Sequence, residues 1–302
     1  MIKGLAITPP VIGRIAIGHV VEKNGKRLPQ KDDFFTITTQ IQTWEGWMLH
    51  PLQNQLAEGA PNGKLRAIPV RFLFNSPDLN LRAQYSLFDR NTGRPVCVGD
   101  GKTARRRSPE GVQDLPCPSP EHCEFGRAGG CKLFGRLNVQ VDGQDDELGT
   151  FIFRTTGYNS VRTLTARLAY FHAVSGGLTK HLPLMLRLRA KSTTMSHRTP
   201  VYYADLTLRD GQSLIEMVSA ARQATELCAE NGVDSGRLED AARLALANGS
   251  FEECEDEMPG LLEEFYPETE TREADEPQSQ PARTPIRRAA LAQRLSKSKA
   301  GA

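Results

Sequence analysis

Hydrophobic and polar positions follow a period of two over most of the first half of the chain. VIGRIAIGHV (11–20) steps between apolar and small or polar residues, as a half-buried strand does. Asn24-Gly25 then predicts a hairpin turn, because both residues tolerate positive φ. DDFFTITTQI (32–41) resumes strand composition, rich in β-branched and aromatic residues. AIPVRFLF (67–74) and LRAQYSLFD (81–89) are two further strands, parted by the turn-forming Asn75-Ser76-Pro77-Asp78. RLNVQV (136–141), GTFIFRTT (149–156), LPLMLRLRAK (182–191) and PVYYADLTL (200–208) complete the strand set.

The period changes in four places. Pro51 to Glu58 predicts a short helix, with Pro in its first turn and Gly59 past its end. From Tyr158 to Val174, Val161, Leu164, Leu168 and either Phe171 or Ala169 recur at helical spacing, and Gly176-Gly177 ends the run. Ser213 with Glu216 forms a capping-box pattern ahead of Leu214, Met217, Val218, Ala221, Ala224 and Leu227. A second C-terminal helix, about 237–247, is closed by Asn248-Gly249. From Phe251 onward the chain is acidic, then rich in Pro, Gln and Ser, which predicts disorder. Within that tail IRRAALAQRLSKSK (286–299) has the pattern of a short basic helix that forms on binding.

The segment 97–131 fits neither period. Ten of its residues are Gly or Pro and its apolar content is low, so it is expected to be an irregular loop without a core of its own. It also holds Cys97, Cys117, Cys123 and Cys131, separated by 19, 5 and 7 residues. Four soft ligands satisfy tetrahedral zinc and close its shell, which makes such a site structural. The two-residue CxxC knuckle is missing, and the case rests on four thiols confined to one loop that needs an external staple. Iron–sulfur ligation accepts the same four residues. His122 adjoins Cys123 and ranks below the four Cys as a ligand. Cys228 reads as a small core residue of its helix, and Cys254 as a free thiol in the acidic tail.

The expected architecture is therefore α+β. A mainly antiparallel sheet with a packing helix and the Cys-rich, metal-stapled loop 97–131 occupies residues 1–210. A helical pair follows over 211–249, and a disordered, acidic-then-basic tail over 250–302.

Charge adds a partner class. Residues 1–210 carry 28 Lys and Arg against 18 Asp and Glu, residues 211–280 carry 4 against 18, and residues 281–302 carry 6 against none. A basic body points to a polyanion, and DNA is the first candidate. Arg105, Arg106 and Arg107, inside the Cys-rich loop, are the nucleic-acid contacts the sequence suggests. Trp44 and Trp47 are read as core residues near a strand end, with base stacking the alternative. No apolar run spans a bilayer, and the first ten residues lack the pattern of a secretory signal, so a cytoplasmic location is expected.

Catalytic signatures do not occur. There is no HExxH, GxSxG, Walker loop or GxGxxG, and the six His are dispersed without metal-type spacing. Asp89 and Asp205 end or interrupt strands, but the sequence does not show that they meet. The expectation is a non-enzymatic protein.

In order, these segments resemble one family. IGRIAIGHVVEKNGKRLPQKDDFFTITT, then CVGDG, LPCPSPEHC, CKLFGRLNV, LGTFIFRTTGYNSVRTL and LPLMLRLRAKSTTMSHRTPVYYADL are similar, over about residues 10–208, to recombination directionality factors of actinobacterial phages. Proteins of this type also occur on bacterial integrative elements, where some are labelled hydrolase or metal-binding. The family often has Trp where Phe151 or Phe153 stands here. The resemblance implies binding to a large serine integrase, or another recombination protein, and a bias toward excision. The alternatives are a DNA-binding accessory protein that works without an integrase and, third, a metal-dependent hydrolase.

Overall fold

A computed structural model describes residues 9–23, 26–44, 46–248 and 258–266. The first half runs β1 (Val11–Ala16), β2 (His19–Lys23), β3 (Lys26–Gln30), β4 (Thr36–Thr43), β5 (Gly46–Leu49), α1 (Pro51–Glu58), β6 (Ala67–Arg71), α2 (Pro77–Asn80) and β7 (Leu81–Phe88). Then come β8 (Pro95–Gly99), β9 (Thr103–Ser108), β10 (Gly111–Pro116), α3 (Glu124–Gly129), β11 (Lys132–Val141), β12 (Thr150–Thr155) and α4 (Tyr158–Val174). The last elements are β13 (Leu184–Lys191), β14 (Val201–Leu208), α5 (Leu214–Glu230), α6 (Ser235–Asn248) and α7 (Met258–Phe265). The fold is α+β. No described helix is long and apolar enough to cross a membrane.

One mixed, mainly antiparallel sheet organises the molecule, in the order β10-β9-β8-β7-β11-β12-β1-β4-β5. Only β1 and β12 pair in parallel among the described strands. The ten-residue β11 is the branch point. Its first part pairs with β7, while Gln140 and Val141 pair with β6, which carries β13 and then β14 as a second wing.

Alternation along β11 and β12 sends Leu137, Val139, Phe151 and Phe153 to one face, where they are at most 1% exposed beside Leu164 and Leu168 of α4. The other face is cationic. Arg82, Arg136 and Arg154 stand side by side in register across β7, β11 and β12. Like charges directly opposite are destabilising. Arg136 is held by Gln84 Oε1 at 2.8 Å, and the neighbouring Arg14 pairs with Glu264 of α7 at 2.7 Å.

The helices expected at 51–58 and 158–174 occur at those bounds, and Ser213 and Glu216 form the predicted capping box of α5. VIGRIAIGHV is two strands, because Gly18 has φ 116° and approaches Gln30 so closely that a Cβ would lie 2.1 Å from its carbonyl oxygen. β2 and β3 pair as the predicted hairpin, and its turn residues Asn24 and Gly25 lie outside the described residues.

Two expectations are corrected. The segment 97–131 is not irregular: it contains β8, β9, β10 and α3. Several of its glycines sit at turns and ends, Gly101 at positive φ between β8 and β9, Gly111 at positive φ at the start of β10 and Gly130 as the left-handed cap of α3. The acidic tail is not structureless throughout, because α7 lies within it. Leu261 and Tyr266 are buried against Phe88 and Phe134, enough apolar contact to outweigh the composition around them. Cys254 and the basic stretch 286–299 fall outside the described residues.

Candidate metal centre

The four cysteines come from four separate places in the β8–β11 region. Cys97 is in β8, Cys117 follows β10, Cys123 caps α3, and Cys131 lies between α3 and β11. All four line one cavity of about 20 Å³, room for an ion rather than an organic ligand. All are free thiols of intermediate exposure. Among the described residues, no group of three or more His, Cys, Asp or Glu side chains stands in metal-holding geometry, so the thiols converge on one space without forming a closed ligand set.

Local geometry explains the convergence. The Cys123 Sγ accepts the Gly126 N–H at 3.3 Å, and the Cys131 N–H donates to the Gly126 carbonyl at 2.8 Å. A Cβ on Gly126 would meet the Cys131 and Cys123 Cβ atoms at 3.2 and 3.3 Å, so glycine lets the two cysteines flank one short helix. On the opposite side a Cβ on Gly99 would lie 2.7 Å from the Cys117 Sγ. The β8–β9 turn is fixed by Asp100, whose carboxylate accepts the N–H groups of Lys102 and Thr103 at 2.7 and 2.8 Å. Those bonds hold the Asp100 pKa below the usual carboxylate value. The Cys117 N–H then donates to the Lys102 carbonyl at 2.8 Å.

Electrostatics at the cavity are those of crowded thiols. Burial, and then the neighbouring Cys97, Cys117 and Cys123, push the Cys131 thiol up to about 12, while Arg106 pulls it down. Arg106 is opposite Cys97 in the β8–β9 register, lines the same cavity, and lays its guanidinium 4.0 Å from the Phe125 ring centroid. Its buried Nε makes no hydrogen bond to the described residues.

The structure therefore separates the three arginines that the sequence groups together. They lie in a strand, not a loop, and alternation sends Arg106 to the thiols. Arg105 pairs across the hairpin with Asp114 and Arg107 with Val112, on the other face. They do not form one contiguous patch. Nothing within TARRRS singles out Arg106; only its cross-strand register with Cys97 places it at the thiols. His122 does not line the cavity. Cys228 is half-buried on α5, with its Sγ 3.8 Å from the His181 Nε2.

Neither Trp is in the core. Trp44 is fully exposed, and Trp47 is partly buried with the Arg14 guanidinium 4.0 Å from its ring centroid. The two strand carboxylates serve different networks. Asp89 holds the turn after β7 by accepting from the Asn91 and Thr92 N–H groups, and Asp205 is buried between Arg167 and Arg189.

Fold and site define an α+β protein whose branched sheet carries a small cysteine-lined lobe at one end. The family model for recombination directionality factor-like (Gp3-like) proteins matches residues 12–209, from β1 through β14. The chain belongs to that family, and its role is that of an accessory protein of phage-type DNA recombination. No curated protein matches the chain, and no solved structure does.

Proposed function

We propose that the chain is a non-enzymatic directionality factor that binds a serine integrase and favours excision, with a structural zinc held by Cys97, Cys117, Cys123 and Cys131. The observation that carries the functional reading is the family match, which spans every strand of the branched sheet. In physical terms the factor biases recombination by contacting one integrase–DNA arrangement better than the other. A differential contact of about 1–3 kcal/mol shifts such an equilibrium roughly 5- to 150-fold. The cell in question is the bacterial host.

The donor set supports the metal. Four thiols meet at an ion-sized cavity, one of them already accepting a backbone N–H, as a thiolate ligand does. Four thiolates around a dication leave a net negative charge, and Arg106 stands beside them to offset it.

The test of function uses the purified chain with the serine integrase of the same mobile element. Co-elution of the two proteins, and a switch toward recombination between the sites flanking an integrated element, are the expected results. Integrase that neither binds the chain nor changes direction with it would overturn the reading.

A further inference from the structure

A second charged surface lies between α4 and the outer face of the β13–β14 wing. Helical spacing puts Asn159, Arg162, Ala166 and Tyr170 on the exposed stripe of α4, opposite the buried Val161, Leu164 and Leu168. The facing wall is set by β-register: Arg187 is opposite Asp205, Arg189 opposite Tyr203 and Lys191 opposite Val201, so the three cations share one face. Two open cavities, about 670 and 510 Å³, run along this trough and share Arg167 and Tyr170.

The floor is built. Asp205 is 2% exposed. It accepts from the Arg167 Nε at 3.0 Å with one oxygen and from the Arg189 Nε at 2.6 Å with the other. A buried carboxylate is costly unless paired, and this one is spent on fixing two guanidinium groups. The clamp uses only the Nε of each, and the two side chains remain 43% and 47% exposed, so their Nη ends are available at the surface. Arg187 is oriented in the same way by the Thr207 hydroxyl at 2.9 Å and by Asp210. Among the described residues, Asp210 is the one carboxylate lining either cavity, against six cationic side chains.

We propose that this trough binds the phosphodiester backbone of duplex DNA. Pre-oriented guanidinium groups match phosphate oxygens in pairs, and Tyr170 and Tyr203 add hydroxyl donors of the kind that phosphate contacts use. Such contacts position a protein on a duplex without reading its sequence. A recombination factor with this surface touches the recombining DNA as well as its protein partner, which goes beyond the integrase reading.

The test measures binding of the full chain to a labelled random-sequence duplex by fluorescence anisotropy across a salt series. Arg162→Glu with Lys191→Glu alters exposed side chains only and is expected to leave melting unchanged. Affinity at low salt should fall by at least about tenfold, with the salt slope shallower by about one per removed cation. Arg105→Ala with Arg107→Ala should leave both nearly unchanged. Three results overturn the proposal: no DNA binding at low salt, loss with the Arg105/Arg107 variant but not with Arg162/Lys191, or displacement of DNA by polyglutamate of equal charge as effective as by unlabelled duplex. The last would mark the trough as a dock for an acidic protein. Integrase co-elution of the Arg162/Lys191 variant reports separately on the protein partner. Retained co-elution with lost DNA binding is the expected pair, and the reverse pair would overturn the assignment.

Discussion

Leu261→Ala should release α7 from the sheet without unfolding the body. Leu261 is 2% exposed and packs with Phe88, Phe134 and Tyr266, flanked by Leu262 and Phe265. Aromatic edges knit the contact: Phe88 and Tyr266 centroids are 4.9 Å apart, and Phe134 and Phe265 centroids 5.7 Å. Polar anchors add the Arg14–Glu264 pair at 2.7 Å and the Lys132 Nζ donating to the Phe265 carbonyl at 3.1 Å. An eight-residue helix has little stability of its own, so α7 folds only as it docks. Ordering each residue costs about 1 kcal/mol, while each fully buried large side chain returns roughly 1.5–3 kcal/mol. The two sums are of similar size, so docking is marginal. Leucine to alanine at a buried site costs about 2–5 kcal/mol, enough to leave α7 mostly undocked.

Trp47 is the reporter. A Cβ on Gly260 of α7 would lie 3.6 Å from its Cζ2, so undocking changes the surroundings of that indole. In a Trp44→Phe background the emission comes from Trp47 alone, because the chain has two tryptophans. The expected result is a red-shifted spectrum for Leu261→Ala at temperatures where the main unfolding transition has not begun, together with faster amide exchange over residues 258–266. If the spectrum is unchanged and the main transition itself drops, α7 belongs to the cooperative core and the reasoning fails.

Four further outcomes are expected. Cys117→Ser and Cys131→Ser should each lose zinc by elemental analysis and speed amide exchange over 97–131 while β11 and β12 stay protected; full occupancy in both variants would remove the metal from the account. Arg106→Gln should weaken zinc retention against a chelator by about tenfold, as loss of a supporting partner does, and an effect no larger than that of Arg105→Gln would deny Arg106 its role. Burial raises the Glu264 pKa above the ordinary value, with Arg14 pulling the other way. Docked α7 then holds that proton more tightly than free α7, so docking is fullest below the ordinary Glu range and weakens as pH rises through the raised value. Trp47 emission should show that drift, Glu264→Gln should abolish it, and stronger docking at higher pH would contradict the sign. Gly135→Ala brings a Cβ to 2.8 Å from the Val161 Cγ2 and should cost about 1–3 kcal/mol in a denaturant melt; an unchanged midpoint would mean that α4 gives way.

Legibility followed the local signals. Helix α4 was readable because its apolar stripe ends at a Gly-Gly pair, and α5 because Ser213 and Glu216 cap each other within four residues. The β9–β10 hairpin was not, because it is polar on both sides. Ala104 is its only buried side chain, so TARRRS and GVQDLP show no apolar alternation to detect. Helix α7 was hidden by its acidic neighbours, although Leu261, Leu262, Phe265 and Tyr266 recur at helical spacing. The four cysteines stood out by crowding, but Arg106 joins them only through cross-strand register with Cys97. The Asp205 clamp was beyond reach for another reason. Its partners come from α4 and β13, 38 and 16 residues away, and no local pattern announces a contact made by tertiary packing.

The placement of charge gives the fold its functional logic. A sheet buried on both faces ordinarily reads as a near-continuous apolar run. Here one face of the central strands is apolar beneath α4, while the other seats Arg82, Arg136, Arg154 and Arg14 next to each other. That second face is tolerable only with something acidic or hydrogen-bonding laid over it, and α7 supplies Glu264. The β13–β14 wing solves the same problem differently, by sinking Asp205 below its arginines and leaving their outer ends to solvent. One cationic surface is thus covered by the chain itself, and the other is held ready at the surface. If the covered face also serves a partner, that partner must carry apolar and acidic groups in the pattern of α7, and it must displace α7 to bind. Leu261→Ala would then strengthen partner binding, whereas the Arg162/Lys191 variant would leave it unchanged. Weaker partner binding in Leu261→Ala would show instead that α7 is part of the docking surface.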